Sequence, residues 1–124
     1  MTPDVPKVPE IAEDRAAISY RAAYQRIRKA MEAMAEASGD AKNPAAVRRF
    51  IEISNMLEAE LDALTAERLK SSRKQYEPIT DAIKRAKQIL DEVSKEIADL
   101  VKAAETAAKV IEALARVAAL FAGV

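Results

Sequence analysis

The chain has 124 residues, 20 Lys and Arg against 20 Asp and Glu, and no His or Cys. Balanced charge gives no global field toward nucleic acid or an anionic membrane. The absence of His and Cys removes disulfides, thiol chemistry and the usual zinc and haem ligands. Only two glycines and five prolines interrupt long runs of Ala, Leu, Glu, Lys and Arg. Those residues lose little side-chain freedom in a helix, so the expected fold class is all-α.

Prolines 3, 6 and 9 follow the three-residue turn of polyproline II. Residues 1–9 are therefore expected to form a Pro-rich flexible arm, followed by a single helical domain over 10–124. Met1–Glu10 contains no apolar leader. The longest uncharged run near the end, Val117–Val124, is far short of the ~20 residues of a membrane span. A cytoplasmic protein is expected.

Helix one is expected over about 10–38. Ala17, Tyr20, Tyr24, Ile27, Met31 and Met34 recur at intervals of three and four, which is one face of a helix. Gly39 is expected to end it in the left-handed conformation.

Helix two is expected over about 44–76. Asn43 is suited to cap its free amides, and Pro44 to the first helical position, where a missing N–H costs nothing. Val47, Phe50, Ser54, Leu57, Leu61 and Leu64 form its stripe, with Ile51, Ile53 and Met56 widening it. Pro78 marks a break, because it removes a donor and pushes Glu77 out of the α region. The alternative is one helix from Pro44 to Ala122, kinked at Pro78.

Helix three, expected over about 79–122, carries the strongest pattern. Ile79, Ile83, Ala86, Leu90, Val93, Ile97 and Leu100 begin a seam at 4-3 spacing. Ala104, Ala107, Ile111, Leu114, Ala118 and Phe121 continue it in the same register. Such a seam predicts a coiled-coil-like contact. Short connections then give an antiparallel up-down-up three-helix bundle with an extra-long C-terminal helix. At ~1.5 Å per residue that helix outruns its companions by roughly ten residues.

The overshoot is the most apolar part of the chain. Exposed apolar surface of that kind marks an interface, so Leu114, Val117, Ala118, Leu120 and Phe121 are the expected partner-binding residues. The function expected from this is a non-enzymatic interaction module that self-associates or binds a protein as an adaptor, chaperone or inhibitor would. The alternative is a membrane-surface helix using the same segment.

A minor alternative is nucleic-acid binding at the second turn, where Arg68, Lys70, Arg73, Lys74, Lys84, Arg85 and Lys87 outnumber Glu77 and Asp81. It is disfavoured, because Glu10, Glu13 and Asp14 would lie at the same end and only Tyr76 is there to stack on a base.

No chemistry is evident. The carboxylates Glu58, Glu60, Asp62 and Glu67, and Asp91, Glu92, Glu96 and Asp99, are expected mostly on solvent-side positions. Ser19, Ser54, Ser71 and Ser72 have no His to activate them. Neither cofactor, metal nor small-molecule substrate is expected.

Overall fold

The computed structural model describes residues 18–70 and 75–121. The expected arm over 1–9, the start of helix one at 10–17, and Arg73 and Lys74 lie outside them. Among the described residues five helices pack together: α1 (Tyr20–Gly39), α2 (Pro44–Lys70), the single turn α3 (Asp81–Lys84), α4 (Ala86–Leu100) and α5 (Ala104–Leu120). No strand occurs among the described residues.

Local chemistry explains the starts. The Ser19 hydroxyl accepts from the Ala22 amide at 3.1 Å. Asn43 Oδ1 accepts from the Ala46 amide at 2.9 Å, with Pro44 as the first residue of α2. The Thr80 hydroxyl accepts from the Ile83 amide at 3.2 Å and starts α3. Each satisfies one of the donors a helix leaves unpaired at its beginning. Gly39 differs from expectation. It closes α1 without a positive φ, and the Asp40 amide bonds back to the carbonyls of Glu36 and Ala37.

The long third helix is interrupted twice. Arg85 makes a turn between α3 and α4, and Val101 and Ala103 adopt extended conformations between α4 and α5. The chain therefore doubles back, and α4 and α5 form a hairpin. Pro78 does separate two helical stretches, since residues 75–80 are non-helical. A single helix from Pro44 to Ala122 is thus excluded. The expected three-helix arrangement with a protruding end becomes four long helices in up-down-up-down order, with α3 as a lead-in.

Two backbone junctions establish this order. At one end Lys42 N–H donates to the Leu100 carbonyl and Lys102 N–H to the Asp40 carbonyl, both at 2.9 Å. At the other end Tyr76 N–H donates to the Ile18 carbonyl at 2.7 Å. The α1–α2 and α4–α5 connections thus share one end of the bundle. The start of α1 meets the segment after α2 at the other.

Energetics favour the fold-back. Interrupting a helix forfeits about four backbone hydrogen bonds, each worth about 1 kcal/mol net. The junction with residues 40–42 recovers part of that. In exchange Leu114, Val117, Leu120 and Phe121 become buried, at roughly 1.5–3 kcal/mol each.

The core runs the length of the bundle. From α1 come Tyr20, Ala23, Ile27, Ala30, Met34 and Ala37, and from α2 Ala46, Phe50, Ile53, Leu57 and Leu64. The expected seam holds through Ile83, Ala86, Leu90, Val93 and Ile97. After the second break Ala107, Leu114 and Phe121 keep their expected inward places, Ala104 is exposed, and Val110 and Val117 displace Ile111 and Ala118. Ala107, Val110, Leu114, Val117 and Phe121 are buried, whereas Ile111 is 43% exposed. No described helix is long and apolar enough to cross a membrane.

Candidate functional site

The expected partner-binding residues belong to the core. Leu114, Val117, Leu120 and Phe121 are buried, and Ala118 is partly buried against them. The overshoot that was to expose them does not exist, because α5 turns back and packs along α1 and α4. An uncovered oily end is therefore corrected to a self-covered one.

The acids face solvent as expected, with Glu60 the clear exception. Glu58, Asp62, Asp91, Glu92, Glu96 and Asp99 are exposed, and Glu67 is half-buried. Glu60 is fully buried. Its carboxylate accepts from the Tyr76 hydroxyl at 2.6 Å, the Ile79 amide at 2.8 Å, the Thr80 amide at 2.8 Å and the Thr80 hydroxyl at 2.9 Å. Tyr20 packs edge-on against Tyr76, with ring centroids 6.1 Å apart. Burial, then the hydrogen bond to Glu60 and its charge, hold the Tyr76 hydroxyl well above the ordinary phenol range.

Every donor around Glu60 belongs to the segment entering α3. The constellation is a fastener for that segment. One signal pointed to it: the 4-3 stripe Ala46, Phe50, Ile53, Leu57 continues through Glu60 to Leu64.

A second polar fastener sits at the opposite end. Asp40 Oδ2 accepts from the amides of Ala103 at 2.8 Å and Lys102 at 3.1 Å. The Ala103 amide is the main cause that holds the Asp40 carboxyl below its usual range. Partial desolvation opposes it, and the Thr106 hydroxyl and Lys102 amide assist it. The carboxylate also stands near the positive end of α5. Nearby, Lys42 Nζ donates to the Ala98 carbonyl at 3.1 Å, and Arg49 pairs with Glu96 between α2 and α4.

A groove of about 470 Å³ runs between α1 and α5. Ala22, Ala33 and Ala113 give it small side chains. Its polar lining is Gln25, Arg26, Lys29, Glu32 and Glu36 from α1, and Lys109, Glu112 and Arg116 from α5. Lys109 lies 3.9 Å from Glu36 across the groove, and Arg116 lies 4.0 Å from Glu112 along α5. These pairs are exposed and hold their partners weakly. Arg26 and Lys29 have no ion-pair partner among the described residues.

Sequence reasoning missed this groove because it needs α5 to lie along α1. At the basic second turn, Lys84, Arg85 and Lys87 are exposed, while the side chains of residues 68–70 lie outside the described set. No group of three or more acidic side chains positioned to hold a metal occurs among the described residues. No protein-family model, curated protein or solved structure matches the chain.

Proposed function

We propose that this chain is a non-enzymatic helical interaction module whose docking face is the α1–α5 groove. The observation that supports this reading is the groove itself, in which small alanine side chains lie between walls carrying charges of both signs. Small side chains let a second helix or strand approach closely. Charged rims give orientation and partner choice more than raw affinity.

The surface proposed differs from the one expected from sequence, because Leu114, Val117, Leu120 and Phe121 are occupied with the chain's own core. The membrane-surface reading drew on those same residues and loses its support with them. Nucleic-acid binding has only Lys84, Arg85 and Lys87 to draw on among described side chains, and no aromatic surface interleaved with them. A non-enzymatic role fits a chain with no His or Cys, whose buried carboxylate is spent on holding a loop.

Site-specific photo-crosslinking in cells tests the reading. A photoreactive residue at Gln25 in the groove should give adducts of defined mass. The same residue at Asp62 on α2 or Asp91 on α4, both exposed and outside the groove, should not. Adducts no stronger at Gln25 than at the two control positions would overturn it.

A further inference from the structure

We infer that the occupant of the α1–α5 groove is a second copy of this chain, docked face to face across a two-fold axis perpendicular to the helices. This rests on the groove being a docking face and names what fills it.

The argument starts from the order of charges on α1. Its first half carries Arg21, Arg26, Arg28 and Lys29, and its second half Glu32 and Glu36. All are exposed except Arg26, which is half-buried at the groove. The helix surface is thus basic toward one end of the bundle and acidic toward the other.

A face-to-face dimer can place its axis in two ways. With the axis along the helices, basic ends meet basic ends. With the axis across them, α1 runs antiparallel to the partner's α1, and the halves meet with opposite sign. Lys29 of each copy then faces Glu32 of the other, and Arg26 and Gln25 face Glu36. A single surface that complements itself in this way is what an isologous interface requires.

Other features are compatible with that arrangement. Ala22 and Ala33 on α1 and Ala113 on α5 line the groove, so its floor carries little side-chain bulk. The Glu36–Lys109 and Glu112–Arg116 pairs are solvated and can exchange partners at little cost. With 20 charges of each sign, two copies carry no net repulsion.

Size fixes how tight the dimer is. At ~1.5 Å per residue α1 is about 30 Å long, and two adjacent helices span about 20 Å. That face offers about 600 Å² per copy, at the lower edge of stable interfaces. The dimer is therefore reversible and dependent on concentration and salt.

Sedimentation equilibrium of the full chain over a range of concentrations and of NaCl tests this. Wild type should dimerise with increasing concentration and dissociate with salt. Lys29→Glu and Glu32→Lys should each weaken the dimer by roughly tenfold or more. The double variant Lys29→Glu/Glu32→Lys should restore it to within about threefold, because the two-fold partner carries the same exchange. Circular dichroism should be unchanged in all three, since both side chains are exposed.

A chain that stays monomeric at every concentration, or a dimer indifferent to either charge reversal, overturns the inference. So does a double variant as weak as the singles. If the chain is monomeric yet Gln25 crosslinks to a different protein, self-docking fails and the interaction module stands. If Gln25 gives no specific adduct and the chain is monomeric, both fail.

Discussion

The Tyr76 hydroxyl donates a 2.6 Å hydrogen bond to Glu60, sixteen residues earlier in the chain. It is one of four donors that converge on a carboxylate with no exposure to solvent. Replacing the acid leaves several buried donors without an acceptor, whereas replacing the phenol leaves the other three bonds in place. Glu60→Ala should lower stability by on the order of 3–5 kcal/mol and Tyr76→Phe by about 1–2 kcal/mol. Urea denaturation measures both, and equal losses would contradict this reading of the network.

The Asp40 carboxyl sits below its ordinary range, chiefly through the Ala103 amide. A group whose folded-state value is depressed contributes stability above its unfolded value of about 3.9 and loses it as pH falls through the folded value. Wild type should therefore exceed Asp40→Asn in melting temperature at about pH 6, with the gap closing by about pH 2. A gap that widens toward acid would reverse the assignment.

Gly39 ends α1 with a negative φ, and a Cβ added there meets no atom within 4 Å. Gly39→Ala should stabilise the chain by about 0.4–1 kcal/mol, through reduced freedom of the unfolded state and better helix propensity. A loss of stability in thermal unfolding would instead indicate that the left-handed cap expected from sequence is real.

Leu114 separates the two readings of α5. As a core residue, Leu114→Ala should cost about 2–5 kcal/mol. As an exposed docking residue it would leave unfolding nearly unchanged. Denaturant titration of this one variant decides between them.

Much of the architecture was legible from local chemistry. Asn43 and Pro44 mark the start of α2, Pro78 lies in the break after it, and the seam from Ile83 to Ile97 faces the core. These features depend on neighbours a few residues away. The turn at Val101–Ala103 does not, because no Gly or Pro stands there and the amides it frees are taken up by Asp40, some sixty residues earlier. A hint did exist. Beyond the turn, Val110 and Val117 compete with Ile111 and Ala118 for the inward position, and the valines prevail.

The same turn hid the groove, since its walls are the flanks of α1 and α5, which meet only when α5 folds back. Glu60 escaped notice for a different reason. The expected stripe through Ser54, Leu57, Leu61 and Leu64 puts Glu60 on the solvent side, and the donors that require it inward, at Tyr76, Ile79 and Thr80, lie sixteen or more residues later.

The paired amides of Lys42 and Lys102 tie together two hairpins that share few other backbone bonds. Neither hairpin can open at that end without undoing the clasp, which couples the fraying of one hairpin to that of the other. Deuterium uptake at those two amides should accordingly be slowed together, although both residues lie in short surface connections, where exchange is ordinarily rapid.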